Sequence, residues 1–174
     1  HNIGCIGPKI LNHDGSLQLA CKRSFPNLFS ALFKLTGISR LFPRSHFFGE
    51  YNLTYLNEND IHTVDAISGS FMLFPMKIID EIGMFDEMFF MYGEDLDYCY
   101  RIKKIGYDIV YNPITSIIHY KGESAKTAPY DMIQIFYTAF YQFYHKHSEQ
   151  FPSWRFLSRV ISFGIYSRKL ISYL

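Results

Sequence analysis

The sequence predicts an α/β domain, and three observations carry that expectation. Short apolar runs with strand character lie at residues 3–6 and 64–74. Between and after them, apolar residues recur at helical spacing in segments that open on proline or acids and stop at glycine. Apolar residues make up 48% of the 174, enough to build a core.

Each element has its own reason. Residues 3–6 form a first strand, followed by Gly7-Pro8 and a turn at Asn12-His13-Asp14-Gly15. Ser24-Phe25-Pro26 opens a helix, because proline is tolerated in the first turn. Phe29, Leu32, Phe33 and Leu35 continue it and Gly37 ends it. Residues 40–60 read as a loop rich in Arg, Asn and aromatics, long enough to be functional. Residues 64–74 read as a buried strand bent at Gly69. Pro75 opens a short helix with Ile78, Ile79 and Ile82 on one face and Gly83 as its stop. Residues 85–93 are a loop. A helix runs from Glu94 or Asp95 to Ile105, with Glu94, Asp95 and Asp97 at its start and Arg101, Lys103 and Lys104 at its end. That arrangement matches the helix dipole, and Gly106 closes it. Strands follow at 108–111 and 116–120, split by an Asn112-Pro113 turn. Residues 130–174 read as two amphipathic helices broken near Phe151-Pro152. They carry 13 aromatics and five Lys/Arg against two acids.

Composition excludes several classes. Lys and Arg total 17 against 16 Asp and Glu, and no basic run tracks a phosphate backbone, so nucleic acid is not an expected partner. Cys5, Cys21 and Cys99 are odd in number and lack metal-ligand spacing, which predicts reduced thiols in a cytoplasmic chain. No run of about 18 apolar residues occurs, so no membrane span is expected. Residues 1–9 do not form a signal peptide. The chain opens on a strand without an initiator Met, as a piece of something longer would.

Five carboxylates, Asp86, Glu87, Glu94, Asp95 and Asp97, are interleaved with Met88, Phe89, Phe90, Met91 and Tyr92. A solvated acidic face would not carry so many large apolar groups. The mixture fits a loop folded over a cleft, presenting acids to a ligand. A carboxylate in a helix first turn is stabilised as an anion, as a general base for a hydroxyl must be. Taken alone, Asp95 also reads as an ordinary helix cap. Asp97 and Arg101, four apart, can pair on one face. Tyr98 and Tyr100 read as packing or surface residues rather than catalytic ones. His119 leaves a strand into a glycine-containing loop, a place for a metal or phosphate ligand or for a plain surface histidine. Asp65, in an apolar strand, needs a partner or a ligand if buried. There is no glycine-rich phosphate loop, no nucleophile elbow and no zinc helix. The one Asp-x-Asp, Asp95-Leu96-Asp97, spreads its carboxylates by roughly 200° on a helix, a poor joint metal site.

Read together, these residues resemble a known family. The run from Gly69 to Phe74, and the string Ile82-Gly-Met-Phe-Asp-Glu-Met-Phe-Phe-Met-Tyr-Gly-Glu-Asp-Leu-Asp-Tyr-Cys-Tyr-Arg101, resemble family 2 glycosyltransferases of the rhamnosyltransferase type. Gly106-Tyr-Asp-Ile-Val-Tyr-Asn-Pro113 and Ile118-His-Tyr-Lys-Gly-Glu-Ser124 continue the pattern. Gly7-Pro8-Lys9 and Asn12-His-Asp-Gly15 resemble the segment between the two halves of such enzymes. The resemblance covers residues 3–126.

It implies a partial GT-A, Rossmann-like domain over residues 1–126, the acceptor-side half, with a helical segment over 127–174. It implies an inverting transfer from a nucleotide-sugar donor to a saccharide or lipid-linked acceptor of the cell surface, with Mg²⁺ or Mn²⁺. The catalytic base falls on Asp95. Glu94, Asp65, Gly69, Asp86 and Glu87 would bind the acceptor or support the loop, Gly69 by admitting close approach of a sugar. His119 would reach the metal or the diphosphate. The family's nucleotide-binding half and its metal-binding Asp-x-Asp are missing from this sequence, so no activity is expected of these residues alone. The aromatic, basic tail suits a membrane surface, placing the protein at the inner face of the cytoplasmic membrane; helices packed on the domain suit it equally. An alternative of another class is a non-catalytic carbohydrate-binding or assembly module that retains the fold.

Overall fold

A computed structural model describes residues 2–120, 122, 132–149, 156 and 159. Among these, three strands form one sheet in the order β1-β3-β2. Strand β1 (Ile3–Leu11) runs parallel to β3 (Asp108–Ile118), and β2 (His62–Val64) is antiparallel to β3 on the other side. The helices are α1 (Leu28–Thr36), α2 (Ile38–Leu41), α3 (Met76–Ile82), α4 (Glu94–Lys104) and α5 (Met132–Lys146). The expected α/β class is therefore observed, as a small mixed sheet consistent with part of a GT-A domain.

Helix α4 is the element that fixes the site. Leu96, Cys99 and Ile102 are buried in the core with Cys5, Ile67 and Ile109. Burying a large aliphatic side chain contributes on the order of 1.5–3 kcal/mol. Tyr98 and Tyr100 are packing residues rather than surface ones: Tyr98 stacks on Phe85 at 4.4 Å, and Tyr100 meets Phe25 edge-on at 5.2 Å. All three cysteines are buried free thiols. Burial pushes the Cys5 thiol up to about 12. Helix α5 buries Ala139, Phe143 and Tyr144 against this core, and the Tyr144 hydroxyl donates to the Pro26 carbonyl at 2.6 Å. No helix among the described residues is long and apolar enough to cross a membrane. The second helix expected beyond Pro152 and the boundary at 126/127 lie outside the described residues.

The expected strands differ in three places. The first runs on through Gly7-Pro8 to Leu11 rather than ending at residue 6. Residues 64–74 do not form one bent strand. Ala66 pairs with Arg23 and Leu73 with Ile6, and the chain between them leaves the ladder. The Gly69 N–H is taken by Asp95 rather than by a neighbouring strand. The Asn112-Pro113 turn is not a strand break either. β3 continues through it, with the pairing to β1 slipping from Pro8–Asn112 to Lys9–Ser116. Pro113 has no N–H to give a ladder, so the extra residues bulge out.

Candidate active site

The loop of residues 84–93 ends in two consecutive left-handed residues, Tyr92 at φ 66° and Gly93 at φ 82°. This kink aims the first turn of α4 at the 67–70 segment. Gly93 is required twice: its φ favours glycine, and a Cβ there would meet the Phe89 ring at 3.0 Å and Ala139 at 3.3 Å. A non-glycine residue at positive φ, as at Tyr92, is a strained conformation of the kind found at functional sites.

Asp95 stands at the centre. Its Oδ2 accepts from the Arg23 guanidinium at 2.7 Å and from the Gly69 N–H at 2.9 Å, and its Oδ1 accepts the Leu96 N–H at 2.7 Å. Arg23 also donates to the Ile67 carbonyl at 2.7 Å. Burial works against the guanidinium's charge, and Asp95 together with Tyr51 and Cys99 more than offsets it, so the Arg23 pKa is raised. Arg23 was not legible as a site residue. It lies 72 positions from Asp95, and only its place in a segment that folds inward could have signalled it.

Glu94 lies beside Asp95. Its Oε2 is buried and has no hydrogen-bond partner among the described residues. Burial and then the Asp95 charge raise its pKa above that of an ordinary glutamate. Gly69 faces both acids: a Cβ there would stand 3.2 Å from Glu94 Oε1 and 3.3 Å from Asp95 Cβ. The close approach that Gly69 permits is thus, in this chain, an approach to α4.

Asp97 faces the other way. It is fully buried and binds Arg101 at 2.9 Å, Lys146 at 2.7 Å and His147 at 2.8 Å. The i,i+4 pair with Arg101 is present as read, but it is buried rather than surface-exposed. Burial raises the Asp97 pKa, and its bonds to His147 and Lys146 outweigh that, so it lies low. Arg101 continues to the Ile82 and Met84 carbonyls at 2.6 and 2.8 Å, fastening the end of α3. Lys146 also holds Asp86 at 2.6 Å. Asp86 therefore supports the loop by tying it to α5. Glu87 is exposed and has no polar partner among the described residues.

Asp65 differs from the expected buried acid. Its side chain is 36% exposed, paired with Lys103 at 2.7 Å and accepting the Phe25 N–H at 3.1 Å. It has a protein partner and makes no bond to Glu94 or Asp95.

His119 follows the carboxyl end of β3. The Gln18 amide donates to the His119 carbonyl at 2.6 Å, so its Oε1 faces the ring and the His119 Nδ1–H donates to it at 3.0 Å. That leaves Nε2 as an acceptor suited to a cation. One ligand is not a metal site, and the described residues contain no group of three or more His, Cys, Asp or Glu able to hold an ion. The described residues do not by themselves fit Mg²⁺ or Mn²⁺.

The comparisons give the class of protein that this α/β domain, with adjacent carboxylates at a helix start beside an apolar loop, is similar to. The family described as glycosyltransferase like family 2 matches residues 33–132. The N-acetylglucosaminyl-diphospho-decaprenol L-rhamnosyltransferase of Mycobacterium tuberculosis is 31% identical over 126 residues, 72% of this chain and 40% of that protein. The low-salt glycan biosynthesis hexosyltransferase Agl10 of Haloferax volcanii is 28% identical over 118 residues, 68% of this chain and 33% of its own. The rhamnosyltransferase WbbL of Escherichia coli K12 is 36% identical over 72 residues, 40% of this chain and 27% of its own. The chain belongs to the family 2 glycosyltransferases and is rhamnosyltransferase-like. It spans two fifths or less of the length of these curated relatives.

Proposed function

We propose that this chain is the acceptor-side part of an inverting glycosyltransferase that moves a hexose or deoxyhexose from a nucleotide-sugar to a saccharide or lipid-linked acceptor in cell-envelope polysaccharide synthesis. The observation that carries the proposal is the Glu94-Asp95 pair. Asp95 is fixed by donors on both of its oxygens with one lone pair of Oδ1 left open, and beside it lies a buried Glu94 oxygen that no donor among the described residues satisfies.

Asp95 is assigned as the base. Arg23 and the Gly69 N–H occupy Oδ2 and fix the carboxylate plane, while Oδ1 has one protein donor and a second lone pair for an acceptor hydroxyl. As the acceptor oxygen bonds to the anomeric carbon and the nucleoside diphosphate leaves from the opposite face, the hydroxyl proton passes to Asp95. Glu94 orients the acceptor: a sugar hydroxyl donating to Oε2 would satisfy an otherwise orphaned atom, a bond typically worth on the order of 1 kcal/mol or more. Asp86 holds the loop. His119 Nε2 could give a divalent cation one ligand, but the described residues form no group that completes such a site, so no step is routed through it. Among the relatives, the mycobacterial protein's name specifies a decaprenol-linked acceptor, which supports a lipid-linked acceptor here.

The test is the anomeric configuration of the product. Incubation of an active form with nucleotide-sugar donors and a polyprenyl-diphosphate N-acetylglucosamine acceptor, followed by NMR of the disaccharide, should give a configuration opposite to the donor's. Retention would refute the direct displacement. Absence of transfer with any donor, together with saccharide binding, would favour the non-catalytic module.

A further inference from the structure

The segment from Ser24 to Gly49 is built inside out. Helix α1 is capped by Asn27, whose side chain accepts the Ser30 N–H while the Ser30 hydroxyl accepts the Asn27 N–H. Ser30 is buried, and the Lys34 ammonium reaches in to Asn52 Oδ1 at 2.6 Å. Among the described side chains, several large apolar ones point outward: Phe29 is 55% exposed, Leu41 74%, Phe42 53% and Phe47 54%. Their rings are not scattered. Phe33 meets Phe47 at 5.0 Å and Phe48 at 4.8 Å, and Phe42 meets Phe48 at 5.2 Å, making one continuous aromatic surface. A helix that buries serine and exposes phenylalanine is reversed relative to an ordinary surface helix. A contiguous exposed apolar patch of this kind marks an interaction site.

The charge pattern says what it meets. No Asp or Glu occurs from Ser24 to Gly49, while Arg40 and Arg44 flank the aromatics. Both arginines are exposed and have no ion pair among the described residues. Glu50, the next acid, is turned inward to the Asn27 amide at 2.8 Å. An isologous dimer through this face would gather the Arg40 and Arg44 of both copies in one interface to which residues 24–49 bring no acid. An anionic phospholipid surface satisfies both features: the aromatics enter the acyl boundary and the arginines meet the headgroups.

We propose that the α1-α2 patch, with the loop carrying Phe42 and Phe47, docks this protein on an anionic bilayer. The inference complements the lipid-linked acceptor proposed above, but its test does not use sugar transfer, so each can fail alone.

The test is co-sedimentation of the 174-residue chain with phosphatidylcholine vesicles and with vesicles containing 30% phosphatidylglycerol. Binding should require the anionic lipid and weaken with salt. Arg40→Gln with Arg44→Gln should lower the partition coefficient about 30-fold, at about 1 kcal/mol per arginine. The variant's melting temperature should match the parent's, which separates lost docking from lost fold. Trp154 is the only tryptophan, so Phe47→Trp in a Trp154→Phe background places a single reporter in the patch. Its emission should shift to the blue on vesicle addition. No binding to anionic vesicles would overturn the proposal, as would undiminished binding of the double arginine variant. A shift confined to Trp154 would move the contact to the tail and overturn it too. Concentration-dependent dimers that Phe29→Ser with Phe47→Ser abolishes, without vesicle binding, would make the patch a protein contact instead.

Discussion

Replacing Arg23 with Met tests the account where the site and the fold meet. The side chains of Arg23 and Asp95 are 9% and 12% exposed, so solvent does little to screen their 2.7 Å contact. Met keeps most of the volume and removes the charge. Among the described residues, Asp95 would then keep the Gly69 and Leu96 N–H donors alone, and the Ile67 carbonyl would lose its guanidinium. Stranding one partner of a buried ion pair costs about 3–5 kcal/mol. Urea unfolding of Arg23→Met should show a loss of that size. Asp95→Asn in the same background should cost less than the two single losses summed, by at least ~1 kcal/mol, because the charge that suffers in the single variant is gone. A loss under ~1 kcal/mol, or additivity within ~0.5 kcal/mol, would refute the claim that Arg23 holds Asp95.

Three further outcomes follow from the same geometry. Gly69→Ala should fold with a small stability change yet lower kcat, because the new methyl would stand 3.2 Å from Glu94 Oε1 and push both acids by a few tenths of an ångström; unaltered steady-state kinetics would contradict it. Glu94 has a folded pKa above its ordinary value of 4.5, so the native state binds its proton more tightly and stability falls as pH rises through the interval above 4.5. Glu94→Gln should remove that fall and melt higher than the parent at neutral pH but not at pH 4. Asp97 shows the opposite sign: its folded pKa lies below 3.8, so its contribution is present above that value and is lost as pH drops below it. Asp97→Asn should cost ~3–5 kcal/mol at neutral pH by leaving Arg101 and Lys146 without their shared buried partner, read by thermal unfolding, and should cost far less at pH 2.

How much was legible follows the range of each interaction. Helix α4 was read within a residue of its observed ends, since the acid-to-base gradient and Gly106 are local signals. The Gly37 and Gly83 stops were legible for the same reason, both at positive φ. The Asp97-Arg101 pair was read from its spacing, but its burial was not, because the groups that bury it, Lys146 and His147, come from a helix about 50 residues on. Arg23 was invisible: two consecutive cations, Lys22 and Arg23, look like a surface patch, and only the fold turns both inward to Leu53 O and Asp95. Residues 64–74 were misread because an apolar run does not reveal whether its backbone pairs with one strand or with several partners. The exposed phenylalanines of α1 carried the right period for a helix but not the direction of its face.

The central claim is that Asp95 takes the acceptor's proton. The measurement is single-turnover sugar transfer by Asp95→Asn against the parent, in a form that also supplies the donor site, with donor affinity measured alongside. The variant's rate should be lower by about 10²–10⁴-fold, the usual scale of general base catalysis, with donor affinity unchanged. Transfer at the parent's rate would contradict it.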